Sequence, residues 1–144
     1  MNLEEKFKML QLCYAAALAD STLRYSNEGI LEKIMGQKRN EQMKNGAMLA
    51  KKFSVQDPKQ AFVNVQNLFG CASWNCEDIE NGFFAVNMSC ILCSMCKKTG
   101  ASSPCQIYCL SPIEAMIKGI KPSATFSVRK TLWNDDKCFV TVEL

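Results

Sequence analysis

Apolar residues recur at alternating steps of four and three at the start of the chain, at Leu3, Phe7, Leu10, Tyr14 and Ala17. This spacing predicts an amphipathic helix over residues 3–18, with a stripe that needs a partner. Asp20-Ser21 reads as a cap, and Tyr25-Ser26-Asn27-Glu28-Gly29 precedes a second helical stretch carrying Ile30, Leu31, Ile34 and Met35. Gly36 is expected to interrupt that stretch, and the pattern resumes through Met43, Ala47, Leu49, Ala50 and Phe53. Asp57-Pro58 opens a third helix, with the aspartate as cap and the proline where its missing N–H costs nothing; Ala61, Phe62, Val65, Leu68 and Phe69 form its apolar face and Gly70 ends it.

From Cys71 the period changes to two. Ala72, Trp74 and Cys76 share one side of a strand, Asp78 to Gly82 turns, and Phe83 to Met88 form a second strand. After the cysteine-bearing segment, Ser111-Pro112-Ile113-Glu114 reads as a capping box, and the helix it opens is stopped by Gly119 and Pro122. A second hairpin closes the chain. Ala124, Phe126, Val128 and Leu132 alternate with polar residues, Asn134 to Lys137 turn, and Cys138, Val140, Val142 and Leu144 line the apolar side of the last strand. The expected fold class is α+β: N-terminal helices packed on a four-stranded antiparallel sheet made of two β-hairpins with a helical, cysteine-bearing crossover. Residues 1–144 read as one domain, helical over 1–70 and hairpin–helix–hairpin over 71–144, with no internal repeat.

Composition narrows the classes. With 48% apolar and 22% charged residues the chain is of ordinary globular make-up, and its net charge of +3 argues against nucleic acid as a partner. The lysines around Arg39 read as a solvated face. No apolar run is long enough to span a bilayer, so no membrane partner is expected. The first residues lack a basic start and apolar core, which places the chain inside the cell, in the cytoplasm, where clustered thiols more often serve metals or catalysis than disulfides.

Nine cysteines and no histidine change the picture most. Cys90, Cys93, Cys96, Cys105 and Cys109 fall within twenty residues, and C-x2-C pairs suit a tetrahedral thiolate site. These five are candidate metal ligands, for zinc first and for an iron–sulfur cluster second, since the fourth ligand of a ferredoxin-type run is not followed by proline here. The plain alternative is that free cysteines are small buried hydrophobes, which suits Cys13 and Cys138 well. A thiol redox pair at Cys93 and Cys96 lacks a flanking β-α-β pattern.

The order of these elements, with Tyr25 to Gly29 before a long helix, Ala50-Lys51-Lys52-Phe53 at its end, the cysteine segment, and Arg129-Lys130-Thr131-Leu132 leading to Asp136-Lys137-Cys138-Phe139, resembles the family named for L-2-amino-thiazoline-4-carboxylic acid hydrolase. The C-terminal part is also similar to the vinyl-4-reductase domain. The resemblance implies an α+β domain with a ligand cavity between helices and sheet, often a homodimer, and a small-molecule ligand as partner. It carries Cys109 and Cys138 over as site residues, with Cys90, Cys93, Cys96 and Cys105 beside them. The hydrolase-like pattern has an acidic residue soon after the helix-proximal cysteine, where this chain has Leu110-Ser111-Pro112.

Two functions follow. As an enzyme, the chain would hydrolyse a C–N bond in a small cyclic substrate, with Cys90 or Cys109 as catalytic nucleophile and Glu77, Asp78, Glu80 or Glu114 as proton carrier. As a binding or sensory module, it would use zinc to brace the wall of an apolar cavity lined by Met88, Met116, Phe126 and Trp133, with Met95 nearby. A polar titratable group reaching the cavity separates the two.

Overall fold

A computed structural model describes all 144 residues. The element order is α1 (Leu3–Asn27), α2 (Leu31–Lys44), α3 (Gly46–Lys52), α4 (Pro58–Phe69), β1 (Ala72–Ile79), β2 (Gly82–Cys90), α5 (Ile91–Thr99), a π-helical turn (Gln106–Leu110), α6 (Ser111–Ile120), β3 (Thr125–Lys130) and β4 (Cys138–Glu143). The two hairpins join into one antiparallel sheet in the order β1-β2-β4-β3. The fold is therefore the expected α+β, with helices laid on one face of a four-stranded sheet.

Alternation along the strands decides which face is covered. Phe83, Ala85 and Asn87 of β2 and Cys138, Val140 and Val142 of β4 point inward and are all buried. They meet Ile113, Met116 and Ile117 of α6 and Phe62 of α4 in the main core. Phe62 is fully buried and carries edge contacts to Trp74 and Phe83, with ring centroids at 4.9 and 5.9 Å, and a stacked contact to Phe126 at 6.2 Å. A second, smaller core forms where α1 lies on α5, around Ala19, Leu92, Cys96 and Ala101.

Helix α4 is built as its sequence announces. The Asp57 side chain accepts from the Lys59 and Gln60 N–H groups, Gln60 reaches back, and Gly70 closes the helix with φ +68. Four other expectations need correction. Helix α1 is 25 residues long and runs through Asp20-Ser21, because Asn2 and Glu5 supply a capping box at its start and nothing breaks it before Gly29. Its buried residues are Ala15, Ala19 and Thr22, small side chains that let α5 approach, so the Leu3–Phe7–Leu10–Tyr14–Ala17 stripe stays exposed. Helix α2 passes straight through Gly36 and ends at Asn45, after which α3 starts at Gly46. Gly46 is there for packing: a Cβ on it would meet the Ala115 carbonyl at 2.1 Å, and one on Gly119 would meet the Ala47 nitrogen at 2.3 Å. Gly119 accordingly lies inside α6, where α3 crosses it, and does not stop the helix.

The fourth correction concerns Ser111. It is no N-cap, since Leu110 before it already has helical angles and the chain is helical from the π-turn into α6. Pro112 is the cause we assign: it has no N–H to give to the preceding turn, and the helix absorbs the missing bond with one wider turn, in which the Ser111 N–H bonds to the Gln106 carbonyl five residues back. Glu114 is thereby released from capping and pairs with Arg39 at 2.6 Å and Lys118 at 3.1 Å.

Candidate functional site

Where the two cores meet, the molecule leaves a cavity of about 60 Å³. Its walls come from α1, α4, the start of β1, the end of β2, α5, the π-turn and the start of β4, and most of its lining is apolar. Six of the nine cysteines face it: Cys71, Cys90, Cys93, Cys105, Cys109 and Cys138. No histidine exists in the chain, and no carboxylate lines this space.

Local structure explains how the thiols converge. Cys90 ends β2 and is the N-cap of α5, where its Sγ accepts the Cys93 N–H at 3.4 Å. Cys93 follows one turn on and lies on the cavity side, whereas Cys96, a further turn along, has rotated away into the smaller core. Cys105 immediately precedes the π-turn and Cys109 lies within it, and both face the cavity. Cys138 opens β4 directly opposite Asn87 of β2, and its Sγ accepts the Leu132 N–H at 3.3 Å. Cys71 stands just before β1, and its carbonyl accepts the Ile91 N–H at 2.9 Å, which ties it to the Cys90 corner.

Burial governs the charge state of these groups. The Cys93 thiol is pushed up to about 12 by burial first, and then by the neighbouring Cys105 and Cys90. Burial likewise raises Cys71 to about 11, with Cys90 adding to it. Cys138 rises to about 11 by burial, against the opposing bond from the Leu132 N–H. Cys109 is raised well above the usual thiol range, and Cys90 is raised by burial despite the N–H groups at the start of α5. At neutral pH and without a metal these five are thiols, not thiolates, and therefore weak nucleophiles.

The polar lining is sparse and mostly occupied. Asn87 is almost fully buried; its Oδ1 accepts the Ser73 N–H at 2.9 Å at the bulge in β1 and the Ser89 N–H at 3.4 Å. The Gln66 side chain accepts the Trp74 N–H. Tyr108 shares a hydrogen bond with Ser21, and Tyr14 stacks on Phe69 at 4.9 Å, so that two tyrosine rings stand at the α1 side.

The five cysteines singled out from spacing divide four to one, with Cys90, Cys93, Cys105 and Cys109 on the cavity and Cys96 away from it. No group of three or more His, Cys, Asp or Glu side chains is placed to hold a metal ion. As arranged, the thiols do not fit a tetrahedral zinc or an iron–sulfur cluster. The four apolar residues expected around the ligand lie elsewhere. Met88 is 64% exposed, Met116 belongs to the main core, Phe126 packs on Phe62 at the edge of that core, and Trp133 packs against the smaller one. The carboxylates are distant as well: Glu77, Asp78 and Glu80 are exposed on the β1–β2 hairpin, where Asp78 pairs with Lys59, and Glu114 faces its two cations.

Sequence spacing missed Cys71, Tyr14, Tyr108 and Asn87. One signal pointed to the last: Asn87 sits on the inward alternation of β2 after Phe83 and Ala85, where an amide must find partners or a ligand. No helix is long and apolar enough to cross a membrane. No family model, curated protein or solved structure matches the chain.

Proposed function

We propose that this chain is a binding module for a small, neutral, polarisable molecule held in the thiol-lined cavity. The observation that carries the reading is the lining itself, with six cysteines, few free polar atoms and no carboxylate around one mostly apolar pocket. Such a wall favours uncharged ligands, because a charge placed there would lose its hydration without gaining a partner. Sulfur adds polarisable contact surface to that preference.

Turnover asks for more than the cavity offers. Hydrolysis of a C–N bond requires an activated nucleophile and a group to carry protons. The cavity thiols with raised pKa are protonated at neutral pH, and the nearest candidates for proton carrier lie on other surfaces. The resemblance to the thiazoline-carboxylate hydrolase and vinyl-4-reductase families stands beside this as a second line of support for a ligand cavity between helices and sheet. The residue missing after Cys109, an acid in the hydrolase-like pattern, supports binding over catalysis.

The volume sets the ligand's scale. An apolar cavity of about 150 Å³ holds benzene or xenon, so 60 Å³ suits xenon or a molecule of a few heavy atoms. The test is NMR titration of the reduced chain with xenon, dimethyl sulfide and acetate. Saturable shifts at Tyr14, Tyr108 and Leu110 with the first two, and none with acetate, are expected. Saturable binding of acetate alone, or no binding by any probe, would reject the reading. Metal content of the purified chain adds an independent outcome: one zinc per chain would mean that the thiols close together on a metal in solution and that the cavity described here is not the resting state.

A further inference from the structure

Strand β3 is an edge of the sheet, and its free side borders a groove. Only β4 pairs with it, so the outward N–H and C=O groups of Thr125 to Val128 meet no other strand. Helix α2 rests on α6 and the π-turn, and a gap of about 570 Å³ is left between α2 and β3. We propose that this groove takes an extended, acidic segment of a partner protein, which adds to β3 as a fifth strand and places a carboxylate on Arg39.

The open edge argues for an extended backbone, since another strand offers N–H and C=O groups at the same repeat. Phe126 and Val128 share the inward face of β3 and border the groove, with Met35 on the α2 side, so alternate residues of an added strand meet apolar surface. The bulge between Val128 and Lys130 ends the regular edge and keeps the recognised segment short. Gly36 clears the other wall. Gly46 and Gly119 are accounted for by the crossing of α3 on α6, but a Cβ on Gly36 would meet nothing within 4 Å. A glycine inside a helix weakens it, and the space this one leaves open belongs to the groove.

Charge selects an acidic segment. The Arg39 side chain is 43% exposed and donates to Glu114 from Nη1 at 2.6 Å, which leaves Nε and Nη2 for a second carboxylate. Glu114 is shared with Lys118, so the three side chains together carry one positive charge in excess. Arg129 and Lys130 add two cations where β3 leaves the groove. Glu32 also borders the groove, but about 10 Å from Arg39 along α2 at 1.5 Å per residue, so the entering carboxylate belongs at the Arg39 end.

The probe is a blocked pentapeptide, acetyl-Val-Thr-Glu-Thr-Val-amide, titrated into the full reduced chain and followed by NMR. Saturable shifts confined to the amides of β3 and of α2 around Gly36 are expected. The same peptide with lysine in place of glutamate should bind at least tenfold more weakly, and so should the glutamate peptide to Arg39→Gln, in which Glu114 keeps Lys118. Gly36→Leu should raise the melting temperature, because leucine favours the helix and the site is open, and yet should weaken the peptide at least tenfold. A role in folding alone would move stability and leave the peptide unaffected. No saturable binding, equal binding of the lysine peptide, undiminished binding by Gly36→Leu, or a melting temperature lowered by that substitution would overturn the proposal, as would glutarate binding as tightly as the peptide.

Discussion

Replacing Cys109 by leucine tests the cavity by filling it. The substitution exchanges one sulfur for three carbons at a position that faces the void from the π-turn. A void costs about 24 cal/mol per Å³, so the 60 Å³ represents about 1.4 kcal/mol of stability forgone. Counting groups gives the same scale, since two added carbons at about 0.8 kcal/mol per buried methylene gain about 1.6 kcal/mol. Cys109→Leu is therefore expected to stabilise the chain by roughly 1 kcal/mol once some rotamer strain is allowed for. In urea the midpoint should rise with an unchanged slope, and the melting temperature should rise by about 2–4 °C. The same variant should lose saturable binding of xenon and dimethyl sulfide. Overpacking would appear as a loss of about 1–3 kcal/mol, and such a loss, or retained binding, would refute both the volume and the placement of Cys109.

Three further outcomes follow from the packing and the charges. Gly119→Ala should destabilise by about 2 kcal/mol or more, because the added carbon meets the backbone of α3 and not a side chain that can swing aside; a change within 0.5 kcal/mol in chemical denaturation would mean that α3 and α6 are further apart than described. Burial raises the Glu114 carboxyl but its bonds to Arg39 and Lys118 outweigh that, and its pKa lies below the usual value. Its stabilisation is thus present above about pH 4.3 and is lost as pH falls through the folded value; Glu114→Gln should cost about 1–2 kcal/mol at pH 7, screened by the half-exposed Arg39, and nothing near pH 2, and an equal cost at both would sink the assignment. The thiols behave oppositely. Cys71, Cys96 and Cys138, held at about 11, and Cys93, held at about 12, stabilise the fold fully below about pH 8.5, and this is lost as pH rises towards 11. A melting temperature that stays flat from pH 7.5 to 10 would contradict that burial.

The strands and α4 were legible because local signals and tertiary needs agree there. Asp57-Pro58 and Gly70 bound a helix whatever it packs on, and the alternation through Phe83, Ala85, Val140 and Val142 has only one way to bury itself. Helix α1 deceived by its large side chains: the stripe reads as core, yet Ala15, Ala19 and Thr22 are what α5 packs against. The glycines misled for the converse reason. Gly36 is a chain breaker by propensity but costs a long helix only about 1 kcal/mol, while Gly46 and Gly119 are fixed by a helix crossing that no local pattern announces. Clustering of cysteines pointed to segments that line the cavity, but which sulfurs face one space depends on how α5 is rotated. Cys93 and Cys96 differ by three residues and end in different surroundings.

The wide turn from Gln106 to Leu110 joins two surroundings without a loop. Residues before and within it, Cys105, Tyr108 and Cys109, look onto the cavity, and residues after it, Ile113, Met116 and Ile117, look into the main core. An inserted turn shifts the rotational phase of a helix while keeping it stiff, so the two sets behave as teeth on one shaft. The far end of that helix is the tight crossing of Gly119 on Gly46. One stiff element thus carries cavity-facing side chains at its start and the contact with α3 at its end, and the expected outcome of filling the cavity is slower hydrogen exchange of α3 amides, none of which lines it.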